Sequence, residues 1–78
     1  MDVTASLEII KPGTPVRVLS VAGEEAMRRR LMELGFTPRA IAVPVTRAVS
    51  GDPTAYWICG TVIALRADDA AGITVELL

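Results

Sequence analysis

The chain contains no histidine and one cysteine, Cys59. Without imidazole, no side chain has its ordinary pKa near neutrality, and no obvious base stands ready for the Cys59 thiol or for the hydroxyls of Ser6, Ser20 and Ser50. The same two deficits leave few good transition-metal donors within one chain. A lone thiol also excludes an internal disulfide and fits a reduced, cytoplasmic setting. No G-x-x-x-x-G-K-[ST] phosphate loop is present. Asp68 and Asp69 are adjacent, so their carboxylates diverge and read as acids at a helix start, not as a catalytic pair. The expectation is a protein that is no enzyme and holds neither cofactor nor metal.

An excess of charge is also missing. Eight Lys and Arg are set against nine Asp and Glu, for a formal net charge of −1, whereas nucleic-acid binders normally carry a basic surplus. Long apolar runs are absent, so no segment is expected to span a membrane. The opening residues, with Asp2 and Glu8, lack the apolar stretch of a signal peptide. Aromatics are few: Phe36, Tyr56 and Trp57.

Aliphatic residues are plentiful. Hydrophobic residues make up 51% of the 78, mainly Val, Ala, Leu and Ile. One domain over residues 1–78 is expected, rich in strands because so many side chains are β-branched. A domain of this size buries only ~60–65% of its unfolded surface, so its stability margin is thin. The apolar surplus suggests association with a partner or with another copy.

The clearest local signal is Gly23 to Pro38. Met27, Leu31 and Leu34 recur at i, i+4 and i+7, the period of one helix face. Glu24 and Glu25 open it, and Glu24–Arg28 and Glu25–Arg29 are spaced for intrahelical pairing. Gly35 is placed to adopt positive φ just past the end, with Phe36 packing back on Leu31 and Pro38 preventing a restart.

Strands flank this helix. Residues 1–11 read as a lead-in with one helical turn carrying Leu7 and Ile10. Pro15 to Val21 is the first strand, with Val16 and Val18 on one face and a slip near Leu19–Ser20 that suggests a bulge. Ile41, Val43 and Val45 share a face of the second, where Pro44 requires an edge position or an irregularity. Thr54 to Cys59 and Val62 to Arg66 form a hairpin about Gly60–Thr61. A helical turn at 67–72 precedes a fifth strand, Ile73 to Leu77. Five strands with one helix between the first and second suggest a small closed antiparallel barrel.

The run Arg28-Arg29-Arg30 admits two readings. One is a solvated helix face with intrahelical pairs. The other is a docking surface whose guanidinium forks meet acidic groups or carbonyls of a partner. Met32, an apolar side chain on the same flank, lends weight to the second.

These residues carry a family resemblance. The block Arg28 to Pro38, the V-x-V strand after it, Gly51-Asp52-Pro53, Gly60, Ala64-Leu65-Arg66 and the leading Leu7 to Gly13 together resemble the ferrous iron transport protein A (FeoA) family. The resemblance implies an SH3-like β-barrel with Tyr56, Ile58, Ile63 and Leu65 inside. Ala55, Trp57, Cys59 and Val62 then point outward, where relatives commonly carry polar groups. It implies a cytoplasmic accessory protein docking on a ferrous iron permease that carries a cytoplasmic GTPase domain. The contact residues to expect are Arg28, Arg29 and Met32 on the helix and Trp57, Cys59 and Val62 on the hairpin, with a homo-oligomer as a further use of the hairpin face. Two other readings are a free-standing regulatory domain of the metalloregulator type and a direct iron-binding protein.

Overall fold

The computed structural model describes residues 3–78. Six strands form one antiparallel sheet: β1 (Thr4–Ser6), β2 (Val16–Val21), β3 (Ile41–Arg47), β4 (Thr54–Ile58), β5 (Thr61–Leu65) and β6 (Ile73–Leu77). Their order is β1-β6-β2-β3-β4-β5. Helix α1 (Glu25–Glu33) joins β2 to β3, a short α2 (Ala67–Ala71) joins β5 to β6, and a 3-10 turn, Leu7–Ile9, follows β1.

The expected closed five-stranded barrel is corrected in two respects. Thr4–Ser6 is a strand, so the helix lies between the second and third strands rather than the first and second. Three residues of weak pattern carry no strand signal of their own; they become β1 because β6 offers a free edge, pairing Thr4 with Glu76, Ala5 with Val75 and Ser6 with Thr74. Nor does the sheet close, since β1 and β5 are its two ends and share no ladder. The segments that follow those end strands, the 3-10 turn and α2, pack against each other. The Ser6 hydroxyl donates to the Ala71 carbonyl at 2.9 Å.

The core lies on one face of the sheet. Tyr56, Phe36, Leu7, Ile58, Ile73, Val16, Val18 and Val75 are fully buried, and Phe36 meets Tyr56 edge to face at 6.3 Å and 88°. Leu31 is buried in the same cluster, with Met27 and Leu34 packed on its rim, as the helix period requires. The lead-in supplies Leu7 and Ile10 to this main core, so neither is left to cover the outer face of the hairpin.

Alternation places Tyr56, Ile58 and Leu65 inward, Ile63 half-buried, and Trp57 and Val62 outward. Two local assignments differ from the sequence reading. Ala42 and Pro44 are the buried residues of β3, and Ile41 and Val43 lie on the opposite face. The register shift between Pro44 and Thr46 is the irregularity that the proline required, and another lies between Val18 and Ser20. The hairpin turn is Cys59–Gly60 rather than Gly60–Thr61, with Ile58 paired to Thr61 and both turn residues at positive φ, 50° and 80°. Two consecutive positive values make the type of turn that matches strand twist.

Candidate docking surface

The helix stop follows from Gly35. Its φ is 117°, its N–H donates to the Met32 carbonyl at 3.0 Å, and the Phe36 N–H donates to the Leu31 carbonyl at 3.1 Å. This pair of bonds satisfies two orphan carbonyls and turns Phe36 into the core. The geometry fixes which residues of α1 remain outside. Arg28, Arg29 and Met32, with Glu25 and Glu33, line one open depression on the exposed side of the helix.

Within that depression Arg29 donates to Glu25 at 3.1 Å, with both side chains largely exposed, so water screens the pair. The Glu24–Arg28 pairing suggested by spacing is not formed; Glu24 is the N-cap residue and makes no side-chain capping bond. Neither Arg28 nor Arg30 holds a carboxylate within ion-pair distance among the described residues. The flank therefore offers guanidinium forks beside the thioether of Met32, a surface suited to carboxylate or carbonyl groups with an apolar neighbour.

The hairpin residues form a second surface. Val43, Trp57 and Val62 stand directly opposite one another across β3, β4 and β5, on the face away from the core. Trp57 is 42% exposed and Val62 58%. Val43 was not among the residues anticipated there; only the β3–β4 register reveals it, because alternation alone does not say which face is inside. Cys59 sits at the tip, exposed, with its Sγ 3.8 Å from the Gly35 carbonyl oxygen. It marks where the hairpin touches the helix stop.

Two further residues tie the scaffold together away from these surfaces. Arg47 donates through Nε to Thr54 Oγ1 at 3.1 Å, and through Nη2 to the carbonyls of Glu8 at 3.1 Å and Ile10 at 3.3 Å, tying the 3-10 turn to β3. Asp52, from the Gly-Asp-Pro loop, accepts the N–H of Ala67 at 2.9 Å through Oδ1, which satisfies one of the orphan donors at the start of α2. Burial pushes the Tyr56 hydroxyl above its usual pKa, while Thr54 and Arg47 pull the other way. Among the described residues no three Cys, Asp or Glu side chains gather as a metal site, and no helix is long and apolar enough to cross a membrane.

Known proteins of the same shape narrow the field. The solution structure of FeoA from Chlorobium tepidum matches with a TM-score of 0.89 and 39% identity, over 95% of this chain and 70% of that one. The crystal structure of Stenotrophomonas maltophilia FeoA, a prokaryotic SH3 domain protein complexed with zinc, matches with a TM-score of 0.78 and 30% identity, over 96% of this chain and 88% of that one. An Fe(2+) transport protein A/Fe(2+) transporter FeoB fusion protein of Porphyromonas gingivalis is 33% identical over 72 residues, which is 92% of this chain and 8% of that protein. The chain thus spans less than a tenth of the curated relative it matches. The family model for the FeoA domain matches residues 5–77, and with nearly every described residue inside that match, the chain belongs to the FeoA domain family.

Proposed function

We propose that this chain is a cytoplasmic, non-enzymatic accessory module of ferrous iron uptake, which docks on the cytoplasmic part of a ferrous iron permease, where its GTPase domain lies. One observation carries the reading: in the Porphyromonas relative, a stretch like this chain shares a polypeptide with an FeoB transporter. Covalent joining raises the effective concentration of two modules to the millimolar range, and a separate chain must replace that advantage with surface complementarity.

The helix flank is the surface assigned to the permease. Arg28 and Arg29 supply steering charge and directional donors, and Met32 supplies an adaptable apolar contact. Trp57, Cys59 and Val62 provide a second, apolar contact at the hairpin. Charge at the rim chiefly sets association rate, so binding through this flank weakens as salt rises.

The test is binding of the purified chain to the isolated cytoplasmic part of the permease, measured by calorimetry at low and high salt. Arg28→Glu with Arg29→Glu should weaken binding by at least about tenfold with the melting temperature unchanged, since reversed rim charges oppose the partner directly. Unchanged affinity in that double variant would remove the helix flank from the interface. Undetectable binding of the native chain, together with normal ferrous iron uptake in a strain lacking it, would remove the function itself.

A further inference from the structure

Natural sheets guard their edges with charge, proline, a bulge or brevity. The edge at β1 is three residues long. The edge at β5 has none of these protections. Its five residues, Thr61-Val62-Ile63-Ala64-Leu65, contain no charge and no proline, and they pair with β4 in unbroken register from Ile58–Thr61 to Thr54–Leu65.

The direction of its backbone groups follows from a contact elsewhere in the sheet. The Gly13 N–H donates to the Pro44 carbonyl at 2.7 Å. Pro44 therefore turns its backbone away from β4, and so does its opposite number Tyr56 from β3. Thr54, Tyr56 and Ile58 then bond to β5 through Leu65, Ile63 and Thr61. Val62 and Ala64, exposed and alternating with those residues, aim their N–H and C=O groups away from the sheet. A closed barrel would have used these groups; the open edge leaves them to solvent.

We propose that β5 pairs antiparallel with β5 of a second copy about a two-fold axis. Phase admits only pairings among Val62 and Ala64, and the greatest overlap of the five-residue strands selects one: Val62 of one copy lies opposite Ala64 of the other, giving four N–H···O bonds around a central pair of Ile63 side chains. Ile63 is half-buried at the end of the core, and its counterpart covers the remainder. On the outer face the row Val43, Trp57, Val62 continues into the second copy. The two Arg66 side chains start ~20 Å apart at ~3.4 Å per residue, beyond the screening length of physiological salt. A net charge of −1 per copy adds little repulsion. The other edge is too short to extend the array, so assembly stops at two. A single strand edge ~17 Å long buries far less surface than the ~800 Å² per partner typical of stable complexes, so the dimer is weak, with a Kd on the order of 0.1–1 mM. This pairing stands or falls independently of the permease reading.

The experiment is sedimentation equilibrium and NMR amide exchange on the full chain between about 50 μM and 2 mM, a range that brackets that Kd. The expected result is a rising mass, with exchange at the Val62 and Ala64 amides slowed severalfold at the higher concentration. Ala64→Pro removes one outward N–H without touching the β4 ladder, and Val62→Lys places a charge on the edge. Both variants should keep the native melting temperature and stay monomeric throughout. A native chain that is monomeric at the highest concentration overturns the proposal. So does a dimer whose Val62 and Ala64 amides exchange as fast as in the monomer, or one that survives Val62→Lys, the variant that decides if Ala64→Pro fails to fold.

Discussion

The Sγ of Cys59 lies against Gly35, such that a Cβ built on the glycine would sit 3.0 Å from the sulfur and 3.4 Å from the Cys59 Cβ. The hairpin tip thus approaches the helix stop where position 35 has no side chain, and a Cβ there would require the sulfur to shift by a few tenths of an ångström. Gly35 carries two constraints, a φ of 117° and this close approach.

Gly35→Ala should therefore destabilise the fold by about 1–2 kcal/mol, from the positive φ alone, and by more if the sulfur cannot move. Chemical denaturation separates the two contributions. Combining Gly35→Ala with Cys59→Ala should recover the part due to the sulfur and leave the part due to backbone strain. A neutral Gly35→Ala would mean that the chain leaves the helix by another route.

Arg47→Ala should cost about 1–3 kcal/mol, because it strips three acceptors of one guanidinium: Thr54 and the carbonyls of Glu8 and Ile10. Arg47→Lys should recover only part of this, since an ammonium cannot reproduce the fork. Amide exchange should quicken first around residues 7–10. Equal stability of the Lys variant and the native chain would assign the effect to charge alone.

Tyr56 makes stability fall in alkali. Burial raises its pKa in the folded state, so above about pH 10 the unfolded chain loses the phenolic proton first and is favoured. The contribution is fully present below that pH and is lost as pH rises through the higher folded value. Tyr56→Phe should flatten the decline in melting temperature above about pH 10. An equally steep decline in the variant would place its cause elsewhere.

Trp57→Lys should give a folded protein within about 1 kcal/mol of the native stability, because the indole is 42% exposed on the face away from the core. Binding to the permease's cytoplasmic part should weaken if the hairpin is a contact surface. Unfolding of the variant would mean that the strand faces are reversed.

The helix and its stop were legible because they rest on local chemistry. A period of apolar residues, acids at the start and a glycine that must take positive φ act within a few residues of one another. The bulge near Leu19 and the irregularity at Pro44 were legible for the same reason. So were the flank residues Arg28, Arg29 and Met32, once α1 buried Leu31.

The remaining features depended on partners distant in sequence. Thr4–Ser6 is a strand only because β6, about seventy residues later, has an edge to offer. Ile41, Val43 and Val45 look like core residues by type, yet smaller Ala42 and Pro44 take the inside, because Ile58 and Tyr56 stand opposite them and need the room. Asp52 carries no local signal of its capping role, because only the packing of α2 brings the Ala67 amide to it. The sequence by itself determined a strand-rich chain with one amphipathic helix and a glycine stop, since those follow from propensity and short-range sterics. Only the tertiary structure decided that the sheet stays open, with the backbone groups of Val62 and Ala64 facing outward, because closure depends on whether two distant edges can meet in register.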